Sequence, residues 1–216
     1  MSSIRFCLIL MFILFCSVSC NNTGKKVIAG AYNRKCSVFK SIPPIVEGKK
    51  EIIFLGHSLI NEFLINEYLS PGDSLRLINM GIGGDDTRGV YYRRHIAFDR
   101  KPKAIFMEVG INDLHNSEPN DTILYYYNLI LRDARDMGIK VYLSNIFPSK
   151  LSLSNDIKYI NNKLKEMCLL YNHQYIDVYS VFQYDDSLDP VYDCGDHVHL
   201  SGRGYIKWAE IIKPYL

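Results

Sequence analysis

The sequence predicts an α/β protein in which a parallel sheet of five strands is covered by helices on both faces. Short apolar runs rich in β-branched and aromatic residues recur along the chain, each about as long as a strand buried on both sides. Longer segments with apolar residues at helical spacing lie between them, and strict alternation of the two implies parallel strands joined by right-handed crossovers. With 216 residues, 48% of them hydrophobic and 22% charged, the chain is long enough to bury one core in a single domain.

Residues 1–20 are a different material. Arg5 precedes an almost uninterrupted apolar run from Phe6 to Phe15, which small residues follow up to Cys20. That is the pattern of a signal peptide, and the run is too short to span a bilayer comfortably. Small residues before a cysteine, with the polar stretch Asn21 to Lys26 behind it, resemble a bacterial lipoprotein signal, although Ser17 stands where leucine is usual. The expectation is an exported protein of the cell envelope, periplasmic or at the surface, held to the membrane by lipid on Cys20. Residues 21–45 are polar and interrupted by Pro43-Pro44, which reads as a tether and a surface segment, and 46–216 as the folded domain.

The first strand is Ile52 to Leu55, ended by Gly56, with helical spacing from Leu59 to Leu69. Ser58 therefore stands between a strand's carboxyl end and a helix start, where open α/β sheets place ligands. Strands follow at Leu75–Asn79, Lys103–Val109, Ile139–Ser144 and Gln174–Val178. Helices are expected around Gly89–Phe98, at Pro119–Met137 with Asn120 or Asp121 as cap, at Ser154–Leu170 and at Ser201–Leu216. Ser180 to Gly195 reads as loop.

Three strand ends then carry chemistry on one rim: Ser58, the glycine-rich Gly81 to Thr87 with Gly84 and Asp85, and Asn112-Asp113. Acyl transfer needs a nucleophile, a base with an orienting group, and donors aimed at the developing oxyanion. A glycine loop can offer a backbone N–H and an asparagine an amide. The glycine loop lacks the phosphate-binding pattern and puts two acids where a phosphate would be repelled. Six histidines could supply the base, and His199 comes with Asp196 three residues before it, just ahead of a helix. His57 adjoins Ser58, but neighbours at a strand end generally point apart, so its expected role is support. A formal charge of +2 with scattered basic residues gives no stripe for nucleic acid. Beyond the signal, Cys36, Cys168 and Cys194 allow at most one disulfide and no metal-ligand spacing.

Four segments together, Gly56-His57-Ser58-Leu59, Asn79 to Thr87, Gly110-Ile111-Asn112-Asp113-Leu114 and Asp196-His197-Val198-His199-Leu200, resemble the motifs of the SGNH hydrolase superfamily, the GDSL-like lipases or acylhydrolases. The likeness runs from about Cys36 to Leu216 and is greatest to the bacterial secreted branch described as sialate O-acetylesterase-like or platelet-activating-factor acetylhydrolase-like. The resemblance implies a flavodoxin-like three-layer α/β/α sandwich and a serine esterase that needs no cofactor or metal. By the same resemblance Ser58 is the nucleophile and His199 the base oriented by Asp196. Gly84 and Asn112 join the Ser58 N–H in the oxyanion hole, with His57, Asp85 and Asp113 in support. Short acyl groups such as acetyl on a carbohydrate fit that branch. A lysophospholipid or lipid substrate, or an impaired glycan-binding module, are the alternatives. Two departures stand out: His57 occupies a place where the family has Asp or Asn, and Leu59-Ile60-Asn61-Glu62 lacks the usual glycine after the serine.

Overall fold

The computed structural model describes residues 30–45 and 47–216, so the expected signal peptide, Cys20 and residues 21–29 of the expected tether lie outside the described residues. The chain divides into two units, one ending at Ile42 and one running from Pro43 to Leu216. In the first, residues 30–40 form helix α1, where the sequence reading expected irregular chain. Tyr32, Cys36 and Phe39 stand at i, i+4 and i+7, a stripe too short in a polar segment to register, and Lys35 lies 5.9 Å from the Phe39 ring centre.

The second unit carries the predicted parallel sheet. Strands β1 (Lys50–Gly56), β2 (Leu75–Gly81), β3 (Ala104–Glu108), β4 (Lys140–Ser144) and β5 (Gln174–Ile176) run in the order β2-β1-β3-β4-β5. Every pairing in it is parallel, and Gly56 lies opposite both Gly81 and Glu108. This order reverses direction between β1 and β3, the place where ligands bind in doubly wound sheets.

Side-chain alternation splits the core in two. Ile52, Phe54, Ala104 and Phe106 face one layer with α2 (Ser58–Glu62), α3 (Ile65–Leu69) and the closing helix α9 (Gly202–Ile212). Phe54 stacks on Phe106 at 5.0 Å, and Phe63 stacks on Trp208 at 4.9 Å and Tyr205 at 5.5 Å. Each such fully buried apolar side chain contributes about 1.5–3 kcal/mol. Helices α4 (Thr87–Phe98), α6 (Asn120–Asp136) and α7 (Ser154–Leu170) pack against one another in the other layer.

Local differences from the sequence reading have physical causes. The helix expected over Leu59–Leu69 breaks at Phe63-Leu64, because Phe63 turns into the aromatic stack while the Asn79 amide ties down the carbonyls of Ile60 (2.6 Å) and Phe63 (3.1 Å). Pro119 caps α6 without a side-chain bond, and Asn120 instead donates to Asp156 at 2.8 Å. Asn112 and Asp113 lie within a short helix, α5 (Ile111–His115), rather than in a loop. The segment expected as loop after β5 holds α8 (Tyr179–Phe182) and a small hairpin, β6 (Gln183–Tyr184) with β7 (Ser187–Leu188).

Candidate active site

Ser58 opens α2 directly after β1, with His57 as the N-cap. The turn depends on Gly56: a Cβ there would lie 1.9 Å from the Glu108 carbonyl oxygen, so only glycine lets β1 and β3 meet and the chain turn out of the sheet. Tyr205 of α9 donates its hydroxyl to the Leu59 carbonyl at 3.1 Å, tying the closing helix to the turn that bears Ser58.

The Ser58 Oγ lies 2.8 Å from His199 Nε2, and His199 Nδ1 lies 2.6 Å from Asp196 Oδ2. Asp196 Oδ1 accepts from the His199 N–H at 2.8 Å and the Val198 N–H at 2.9 Å. Partial burial works to raise the Asp196 carboxyl, but the His199 ring and these two N–H groups outweigh it and hold it well below the usual carboxylate range. The loop bearing both residues is built by Asp193, whose Oδ1 accepts from Gly195, Asp196 and His197 N–H at 2.8, 3.2 and 3.1 Å. Ser149 Oγ donates to the His197 carbonyl at 2.7 Å and anchors the loop to the rim beyond β4. With Nδ1 donating to Asp196, Nε2 presents its lone pair to the serine hydroxyl, the arrangement of a general base.

The glycine loop after β2 is fixed from beneath. Arg93 of α4 donates from Nε to Asp85 at 2.6 Å, and its Nη atoms donate to the carbonyls of Met80 (2.7 Å) and Gly56 (2.9 Å), welding the ends of β1 and β2 to the loop. Burial pushes the Asp85 carboxyl up, and Arg93 opposes that. Gly84 has φ of 76°, a left-handed conformation in which glycine is unstrained. The Asn112 amide donates to the Asp85 carbonyl at 2.9 Å, leaving its second N–H for a ligand. Asp113 accepts from Thr87 Oγ1 at 2.6 Å and Thr87 N–H at 3.0 Å, and burial, partly offset by Thr87, raises its carboxyl to about 6.

His57 departs from its expected place. Its ring is fully buried, Nδ1 lies 3.3 Å from Ser58 Oγ and accepts from the Leu59 N–H at 3.3 Å, and Nε2 approaches Glu108 Oε2 at 2.9 Å. Adjacent side chains do not point apart here, because capping α2 swings the imidazole back over the first turn. That 2.9 Å approach is close but not aligned for hydrogen bonding, and neither Glu108 oxygen has an aligned partner among the described residues. Glu108, Arg93 and Ser149 were missed by the sequence reading, which named Thr87 only as the end of the glycine-rich segment. Only Glu108 left a signal, as a carboxylate inside the apolar run of β3.

Of the other histidines, His173 is a core residue bound to the Leu131 carbonyl, His95 is exposed, and His115 lies 3.4 Å from Ser149. Cys168 is buried and Cys194 exposed, neither in a disulfide. Ligand-type atoms of Cys194, Asp196 and His199 lie within 4.8 Å of one another, a grouping that spacing alone did not suggest; two of its three members are already bonded to each other.

The chain is similar to known proteins in sequence and in fold. Residues 58–206 match the GDSL-like Lipase/Acylhydrolase family. The chain is 28% identical over 175 residues to platelet-activating factor acetylhydrolase IB subunit alpha2 of Rattus norvegicus, covering 76% of this chain and 73% of that protein. Its fold matches a GDSL-like lipase from Bacteroides thetaiotaomicron with a TM-score of 0.75 at 18% identity, covering 85% and 96% of the two chains. An acetylxylan esterase from Geobacillus stearothermophilus matches with a TM-score of 0.67 at 15% identity over 77% and 94%. The chain belongs to the GDSL-like lipase/acylhydrolase family and is a hydrolase of ester bonds.

Proposed function

We propose that the protein is an exported serine esterase that removes short acyl groups, acetyl foremost, from carbohydrate esters. The observation that carries the reading is the chain of contacts from Ser58 Oγ to His199 at 2.8 Å and on to Asp196 at 2.6 Å, at the carboxyl rim of the sheet. Ser58 attacks the ester carbonyl while His199 Nε2 takes its proton, and Asp196 holds the tautomer and balances the imidazolium. The backbone N–H groups of Ser58 and Gly84, with the Asn112 amide, receive the oxyanion. His199 returns the proton to the leaving alcohol, and water then releases the acyl group by the same steps. These steps use no cofactor.

Support for a short acyl group comes from two names: a curated relative is a platelet-activating factor acetylhydrolase, and a protein of the same fold is an acetylxylan esterase. The alcohols they point to differ, a lipid in one and a glycan in the other. A lipid tether on Cys20 is part of the same reading, and acyl chains on Cys20 in the mass spectrum of the mature protein mark it; an unmodified N-terminus leaves plain secretion.

The test is turnover by purified residues 21–216 of p-nitrophenyl esters of rising chain length and of acetylated sugars. Activity is expected on acetyl esters, falling with chain length, and Ser58→Ala lowers kcat by roughly 10⁶. Preference for long chains supports a lipid acylhydrolase instead, and binding of acetylated glycans without turnover supports a glycan-binding module.

A further inference from the structure

Four carboxylates are buried among the described residues: Glu51, Asp85, Glu108 and Asp113. Three are met by donors. Arg100 reaches Glu51 at 2.7 and 2.9 Å with Arg76 at 3.2 Å, Arg93 reaches Asp85 at 2.6 Å, and Thr87 reaches Asp113 at 2.6 Å. Glu108 is 0% exposed, and among the described residues neither of its side-chain oxygens has an aligned hydrogen-bond donor, the imidazole of His57 approaching Oε2 at 2.9 Å out of alignment. A buried carboxylate without aligned donors costs several kcal/mol, so its place against the nucleophile turn calls for a function.

The surroundings of Ser58 suggest one. Its Oγ lies between two imidazole nitrogens, His199 Nε2 at 2.8 Å and His57 Nδ1 at 3.3 Å. Each ring has a carboxylate behind its other nitrogen, Asp196 at 2.6 Å and Glu108 at 2.9 Å. The Leu59 N–H points at Nδ1 of His57, which assigns the lone pair to Nδ1 and the proton to Nε2, facing Glu108. The His57 tautomer therefore offers a proton acceptor to the serine, as the His199 tautomer does.

We propose that His57 and Glu108 form a second, buried base dyad, held in reserve behind the His199–Asp196 pair. This rests on the serine-esterase reading above. In the reserve step the Ser58 Oγ–H bond breaks as Oγ bonds to the acyl carbon, the proton passes to His57 Nδ1, and the Nε2–H stays on the ring facing Glu108. Protonation turns the unmatched carboxylate into half of a neutral ion pair, which is what its burial lacks in the resting state. The Leu59 N–H loses its acceptor in that step. That loss, and the longer contact to Oγ, make His57 the slower base while His199 is present.

The measurement is kcat/KM for p-nitrophenyl acetate, whose leaving group needs no proton, so that the rate reads the base alone. With a single base, the serine and histidine variants are about equally slow. Here His199→Ala, at an accessible position, is expected to turn over at least about 10-fold faster than Ser58→Ala. Adding His57→Asn, or the near-isosteric Glu108→Gln, brings His199→Ala down to the Ser58→Ala rate in proteins whose melting curves show them folded. A His199→Ala enzyme no faster than Ser58→Ala overturns the proposal. So does a residual rate that survives either second substitution. A wild type that hydrolyses no ester defeats the underlying esterase reading instead, so the two failures are told apart.

Discussion

The two carboxylate-histidine pairs that flank Ser58 are built in opposite ways. Asp196 and His199 come from one short loop, hydrogen-bond through backbone and side chain together, and keep 48% and 30% of their side-chain surface exposed. Glu108 and His57 come from the ends of two neighbouring strands, are brought together by the sheet, and are shut away from water. An exposed pair can move and exchange its proton with solvent, at little cost in stability when it is broken. A buried pair is expensive to leave incomplete. The difference teaches that two like pairs beside one serine can be set by different means: in the reaction proposed above, the pair set by a loop makes the main proton transfer and the pair set by the sheet stands in reserve.

The sharpest way to separate them is to remove one member of each. Asp196→Asn should lower kcat by roughly 10²–10⁴, because His199 loses the group that sets its tautomer, with the melting temperature nearly unchanged. A large loss of stability would show that the loop depends on Asp196 rather than on Asp193. In the buried pair the order of effects reverses. His57→Leu takes the acceptor from the buried Leu59 N–H and should cost about 1–3 kcal/mol in urea unfolding, while Glu108→Leu removes a buried carboxylate that has no aligned donor and should cost less or stabilise. The double variant should be more stable than the sum of the two predicts. Strict additivity would mean that the rings and carboxylate do not sense each other.

The smallest effect concerns Asp113, a buried carboxylate that does have its donors. Its carboxyl, raised by burial to about 6 against an ordinary 3.8, binds its proton more tightly in the folded state. Its contribution is therefore present below about pH 4 and lost as pH rises through about 6, on the order of 2–3 kcal/mol. Wild-type stability relative to Asp113→Asn should fall between about pH 4 and pH 7. A flat difference would show that the Thr87 bonds cancel the burial. Asp196, held low by its bonds, has the opposite sign: its contribution is present above the ordinary carboxylate range and lost as pH falls below it.

Much of the site could be read in the chain because its signals are local. Apolar runs ended by glycine mark the strand ends, and Asp196 with His199 stand three apart before a helix, so one loop suffices to join them. Helix boundaries near aromatic packing were less legible: nothing within Leu59–Leu69 shows that Phe63 leaves the helix to stack on Trp208. The cap by His57 was misjudged for a similar reason, since the direction of a side chain at a turn depends on which N–H it finds.

What the sequence by itself determined is the alternation of strand and helix, the parallel sheet it requires, and the short-range groupings that mark one rim as reactive. These follow from periodicity and from residues close in the chain, whose encounter costs little chain entropy. The contacts between distant segments were decided only by the tertiary structure: Arg93 reaching the ends of two strands, Ser149 holding the His199 loop, and Glu108 arriving beside His57. Strand order and register set them. Gly56 pairs with Glu108 because β3 lies beside β1, and no pattern within either strand specifies that neighbour.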